Sequence, residues 1–302
     1  MPVSLRVRPL AAAAGGAALL LSGLALPAQA DALSCGDVVM SSTVLTTDLT
    51  CASGHGLVIG ADGVVLDLGG HSITGPGAYG AGAGAGVWIH QRTGVTVMNG
   101  EIAHFATAVE VQQSSTVLVS EVRAHHNDRG INLGTGGGHV LEKNVITDNG
   151  RDAVRIAGSA DVRVSKNVVE RNVFGIGVAN GAVRTIVEKN VVSGSGPWGV
   201  ALFEDANDTV LDKNVVTSSR GDGIQVQWQT QRTMLTKNET SGNGDDGIDV
   251  DSTSATLIKN LAVGNGDLGI EAIDGVTDGG ANMAAGNGNP LQCTGVVCIA
   301  PM

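Results

Sequence analysis

Residues 209–226 read TVLDKNVVTSSRGDGIQV, and residues 233–250 read TMLTKNETSGNGDDGIDV. The two stretches match position for position. Each carries an apolar pair, Lys-Asn, a second short strand-like run, a polar bend, then Asp-Gly-Ile-x-Val. Working outward, a small residue followed by Val or Ile recurs at Gly86, Ala108, Gly130, Ala153, Gly175, Gly199, Gly223, Gly247 and Gly269, every 22–24 residues. Lys-Asn recurs in phase at Lys143-Asn144, Lys166-Asn167, Lys189-Asn190, Lys213-Asn214, Lys237-Asn238 and Lys259-Asn260. A third marker is Asn127, Asn149, Asn172, Asn243, Asn265 and Asn287, with Ser195 and Ser219 in its place in two repeats. Periods of this length mean stacked supersecondary units.

Within each unit the apolar residues alternate, as in strands. Ile131 and Leu133, Val200 and Leu202, Ile224 and Val226, and Ile248 and Val250 fall one and three residues past the repeat glycine and point inward. Leu141, Val164, Val187, Leu211, Leu235 and Leu257 each stand three before an asparagine, and Val145, Val168, Val191 and Val215 open a third strand. Three short strands per unit cannot bury an apolar face alone, so the units stack. The expected fold is all-β, a right-handed parallel β-helix of about ten coils. Its asparagines would bond from coil to coil, as stacked amides do. At one strand spacing per coil, ten coils make a rod of about 50 Å.

The ends read differently. Arg6 and Arg8, an apolar run over 11–26 and Ala28-Gln29-Ala30 describe a secretory signal peptide cleaved after about Ala30. Loss of those two arginines takes the formal net charge from −11 to −13. A chain this acidic repels phosphate backbones, which argues against a nucleic-acid partner. No other apolar run is long enough to span a bilayer. In an exported chain, four cysteines suggest two disulfides. Local pairing joins Cys35 with Cys51 and Cys293 with Cys298. The organisation expected is a leader over 1–30, a disulfide-stapled cap over 31–56, the β-helix over 57–288, and a disulfide-closed tail over 289–302. Residues 76–85 (PGAYGAGAGA) read as a low-complexity insert. The mature protein is expected to be a secreted monomer.

Cys35-Gly36, Leu45-Thr46-Thr47-Asp48-Leu49-Thr50-Cys51 and Val64-Val65-Leu66-Asp67-Leu68-Gly69-Gly70-His71-Ser72-Ile73-Thr74-Gly75 resemble the opening of secreted bacterial β-helix proteins of the pectin-lyase-like superfamily. The usual form there is L-D-L-N-G-H-T-I; here Gly69 replaces the asparagine. With the repeats, the resemblance covers about residues 35–288. It implies the fold, and an activity class no narrower than lyase, glycoside hydrolase, epimerase or non-catalytic surface protein.

Equivalent positions on successive coils are neighbours, so the alignment is a contact map. Two past the repeat glycine it stacks Gln225, Asp249 and Glu271, and four past it stacks Phe203, Gln227 and Asp251, with Trp228 beside them. These seven form the candidate substrate-binding patch. Asp222 stacks with Asp246, and Asp245 with Asp267; Asp245, Asp246 and Asp267 are the candidate metal ligands, for Ca²⁺. Carboxylates at strand spacing, about 5 Å, must bind a cation, share protons or splay into water.

Two residue types stack without such chemistry. Asp161, Arg184, Asp208 and Arg232 form an alternating charge ladder read as structural. The six lysines of the Lys-Asn pairs form a like-charge column read as a solvated face, with a track for an anionic polysaccharide as the alternative. His125-His126-Asn127-Asp128 reads as a polar bend. The Asn-Thr-Asp of polygalacturonase-like hydrolases and the Asp-Pro-His of alginate epimerases are absent, although Asp245-Asp246 is present. No catalytic residue is assigned. Two functions remain: binding or processing an extracellular polysaccharide, or acting as a non-catalytic surface rod. A concave site with perturbed carboxylates would favour the first.

Overall fold

The computed structural model describes residues 32–77 and 82–301, a parallel β-solenoid of about eleven turns. The proposed leader lies outside the described residues. One sheet contains eleven parallel strands, from Asp37–Val39 through Asp222–Val226 and Ile248–Val250 to Ile270–Ala272. Two further strand columns share the long strands Thr96–Ala103 and Leu118–His125. Among the described residues no helix is long and apolar enough to cross a membrane.

The repeat alignment is the pairing register. Ile176, Val200, Ile224, Ile248 and Ile270 are successive partners, and all are fully buried. Each such side chain stabilises the stack by about 1.5–3 kcal/mol relative to exposure. In the third column the inward residue is the second of each pair. Ile146, Val169, Val192 and Val216 are buried, while Val191 is 43% exposed. Glycine marks the first sheet because the coils close tightly there. A Cβ on Gly175 would lie 1.9 Å from the Gly199 carbonyl oxygen, and one on Gly223 2.5 Å from that of Gly247.

The structure has eleven turns rather than ten because the first begins inside the segment read as a cap. Asp37–Val39 pairs in register with Leu57–Ile59, which pairs with Val87–Ile89. Coil length also varies more than 22–24: the insert makes the second turn longer, so that His55 and Ala85, 30 residues apart, are bonded neighbours. Both disulfides form as expected, Cys35–Cys51 with Cα atoms 5.5 Å apart and Cys293–Cys298 at 6.1 Å.

Seven asparagines stack from Asn144 to Asn282, all at most 1% exposed. The Nδ2 of Asn144, Asn167, Asn190, Asn214, Asn238 and Asn260 each donates to the Oδ1 of the next at 3.0–3.1 Å. The same oxygen accepts the preceding asparagine's backbone N–H, and the second amide hydrogen goes to a carbonyl of the preceding coil, as Asn190 to Val164 at 3.0 Å. Each asparagine side chain between Asn144 and Asn260 is thereby satisfied by protein partners. The second asparagine ladder runs Asn127–Asn149–Asn172, breaks at Ser195 and Ser219, and resumes at Asn243–Asn265–Asn287. The Ser195 and Ser219 hydroxyls have no partner.

Replacement of Asn190 by Ala removes the side-chain partner of two backbone groups of the preceding coil, the Asn167 N–H and the Val164 carbonyl, at about 1–3 kcal/mol for each unsatisfied group. The expected result is a clear fall in the urea midpoint of unfolding. Ser218→Ala, on the surface of the next coil, should leave it nearly unchanged.

Candidate functional site

The outward face of the eleven-stranded sheet carries three columns. The central one runs Trp88, Glu110, Asn132, Arg155, Gly177, Ala201, Gln225, Asp249 and Glu271 in register. Gly177 and Ala201 leave a depression midway. The ring of Trp198 covers it, 3.3 Å from where a Gly177 Cβ would stand. Phe174 stacks on Trp198 with centroids 5.1 Å apart and an interplanar angle of 22°, and Phe203 tilts against it at 6.0 Å. An aromatic platform therefore lies between an amide-and-arginine half and an acidic half.

The acidic half begins beside Trp198, whose register partner is Asp222. Asp222 accepts the Asp246 N–H at 3.2 Å, and Gln225 donates to its other oxygen at 3.4 Å. Asp246 is 5% exposed and accepts the Leu268 N–H at 2.7 Å. Pro197, Trp198, Arg220, Gly221, Asp222, Gln225 and Asp245 line an open pocket of about 540 Å³.

Burial dominates the acidity of this half. It pushes the Asp222 carboxyl up to about 6, aided by the charges of Asp245, Glu271 and Asp251 and opposed by the Asp246 N–H. Burial, then the neighbouring charges of Asp251 and Asp222, raises Asp249 to about 7. Asp246 rises to about 8, through burial and then its hydrogen bond with the Glu271 side chain. Withdrawn from water and close together, these groups hold protons that isolated carboxyls would release.

The sequence candidates fall into three groups. Gln225, Asp249 and Glu271 share one column, and Phe203, Gln227 and Asp251 occupy equivalent positions in the next, as the alignment required. Trp228 stands apart: it is 72% exposed on the bend after Gln227, and the pocket's aromatic wall is Trp198. Among the metal candidates, Asp245 and Asp246 converge with Asp222, their ligand oxygens all within 4.8 Å of one another. Asp267 stacks on Asp245 through its backbone, but it is not among the converging carboxylates. Phe174, Trp198 and Arg220 were not singled out in the sequence. Phe174, Trp198, Asp222 and Asp246 all precede a repeat glycine, and that column is the signal that identifies them.

The alternating Asp–Arg ladder is structural. Arg184 binds Asp161 and Arg232 binds Asp208, each through two hydrogen bonds of 2.5–2.8 Å. His125 and His126 bond to each other at 2.7 Å, while Asn127 is committed to its ladder.

The model of the family described as a right-handed beta helix region matches residues 55–216 and 184–287. The chain belongs to the right-handed β-helix family. Among curated proteins, no sequence matches it. Solved β-helices do. The periplasmic alginate epimerase AlgG (T265N mutant) aligns with a TM-score of 0.70 at 14% identity, over 87% of this chain and 76% of that one. DFA-IIIase from Arthrobacter chlorophenolicus A6 aligns with a TM-score of 0.55 at 13% identity, over 78% and 63%. XylC, solved with xylose, aligns with a TM-score of 0.52 at 16% identity, over 58% and 37%. The chain thus spans little more than a third of XylC. At these identities the likenesses establish the β-helix fold alone.

The acidic half has a pH signature. Unfolded, its three carboxyls ionise near the ordinary 3.8; folded, they do so only between about 6 and 8. Between those limits the folded chain binds more protons, so the stability they contribute is full below 3.8 and is lost as pH rises through 6 to 8. The urea midpoint should therefore be higher at about pH 5 than at about pH 9. Asp246→Asn should flatten that difference.

Proposed function

We propose that this is an exported polysaccharide-processing protein whose site is the aromatic platform and the acidic half beside it. The observation that carries the reading is the pocket that Trp198 lines together with its register partner Asp222, next to carboxyls that stay protonated towards neutral pH. A sugar ring offers C–H faces to an aromatic surface and hydroxyls at its rim. Trp198 and Phe174 supply the surface; Asp222, Gln225 and Asp249 supply the rim partners. Asp249, at about 7, is matched to donating a proton to a glycosidic oxygen near neutral pH. The alginate epimerase and the xylose-bound XylC lend support as carbohydrate-related neighbours. The leader-like N-terminus and two disulfides support export. A plain surface rod accounts for neither the pocket nor the perturbed acids.

Convergence of Asp222, Asp245 and Asp246 favours a second role for the same acids, holding Ca²⁺. Ca²⁺ takes 6–8 oxygen ligands, so water or sugar oxygens would complete the shell. The ion would neutralise the acids and supply Lewis-acid chemistry to a bound sugar.

The test is a panel of neutral and uronic-acid polysaccharides, assayed for binding, reducing ends and unsaturated products, with and without Ca²⁺. Trp198→Ala is expected to weaken binding at least about tenfold, which is about 1.4 kcal/mol. Asp249→Asn is expected to lower turnover by about 100-fold or more while binding persists. Unchanged signals in Trp198→Ala, Asp249→Asn and Asp251→Asn would remove the site from this face. Calorimetric titration with Ca²⁺ should give heat in the native protein and none in Asp222→Asn/Asp246→Asn.

A further inference from the structure

Several bend columns of the solenoid hold residues in the left-handed backbone conformation, and three of them are filled differently. One runs Asp148, Arg171, Gly194, Ser218, Gly242 and Gly264. The second alternates Asp161, Arg184, Asp208 and Arg232, and it neutralises itself through ion pairs. The third is Lys143, Lys166, Lys189, Lys213, Lys237 and Lys259, with φ between 54° and 58°. In this conformation a non-glycine residue costs about 1–3 kcal/mol, and the first column shows that glycine fills equivalent bends. Backbone geometry therefore does not call for lysine, and six like charges at strand spacing repel one another.

Local acids do not cancel the column. All six lysines are exposed. Lys143 pairs with Glu121 at 3.2 Å and Lys213 with Asp212 at 2.9 Å. Glu188, next to Lys189 in sequence, is taken by Arg163. Lys166, Lys189, Lys237 and Lys259 form no ion pair among the described residues. A straight row of ammonium groups about 24 Å long thus crosses a protein of strongly negative net charge. Alongside it, one buried asparagine further on, runs a row of part-exposed valines: Val145, Val168, Val191 and Val215.

We propose that this corner docks a linear anionic polysaccharide with one acidic group per sugar, lying parallel to the solenoid axis. The regular ammonium row matches a regularly charged polymer, and the valine strip offers apolar surface to sugar rings. The valines favour a polysaccharide over a bare polyphosphate, which has nothing to place there. This surface is a different corner from the acidic pocket, and it does not depend on that pocket being catalytic.

The experiment measures binding of the full disulfide-bonded chain to polygalacturonate and alginate oligomers of graded length, to dextran and to inorganic polyphosphate. Native protein should bind the two polyuronates and not dextran. Affinity should fall with added salt, and it should rise with oligomer length until the chain spans the row. Lys166→Gln/Lys189→Gln/Lys237→Gln/Lys259→Gln should bind at least tenfold more weakly with an unchanged melting temperature. Arg184→Gln/Arg232→Gln, which removes cations from the neighbouring column, should bind as the native protein does. The proposal is overturned if the lysine variant binds unchanged, if the arginine variant loses as much, or if polyphosphate binds and the polyuronates do not.

Discussion

Parallel hydrogen bonding between coils holds equivalent residues one strand spacing apart, and nearly everything distinctive about this protein follows from that. In a globular fold, repeating a residue type along the sequence scatters it in space. Here repetition becomes adjacency. Isoleucine above valine above isoleucine makes a core only a few side chains wide. Asparagine above asparagine makes a chain of amides in which each oxygen accepts from the coil before it. Aspartate near aspartate makes a group that cannot ionise freely. The same constraint that stabilises the apolar and amide stacks strains the charged ones, so a like-charge column needs compensation or a purpose.

The fold was legible because it is periodic. Fixing Gly223, Gly247 and Gly269 at one position predicts that Gln225 lies on Asp249 and Asp249 on Glu271, and the pairing agrees. Legibility failed where the period changes. Asp37–Val39 precedes the long second turn, so its place in the first sheet could not be counted back from Gly86. It failed again at bends. Trp228 follows Gln227 in sequence, but the strand has ended there, so the inward–outward alternation no longer directs its side chain. Trp198 is distant in sequence from Asp249 and only two strands away in space. The relevant column, the residue before each glycine, was read for its aspartates and not for its aromatics.

Two kinds of charged stack illustrate how environment decides chemistry. The Asp161–Arg184 and Asp208–Arg232 pairs lie in open solvent, and each guanidinium holds its partner carboxyl below the usual range. They remain ionised, and exposed pairs of this kind, screened by solvent, contribute little to stability. The carboxyls at Asp222, Asp246 and Asp249 have no such partner and are substantially buried, so they move the other way.

The aromatic column adjoins the first of these carboxyls, Asp222. Gly177 and Ala201 leave no side chain tall enough to keep Trp198 upright, so its ring lies along the sheet towards Phe174 and Phe203. The indole, as the register neighbour of Asp222, occupies space that water would otherwise take. Platform and acid group are therefore one device. The ring that would receive a sugar is also part of what withdraws the adjoining carboxyl from solvent. A sugar settling on the platform would exclude still more water, and its hydroxyls would find neutral carboxyl groups able to donate as well as accept. Ionised carboxylates at the same positions could only accept, and they would repel one another across the pocket.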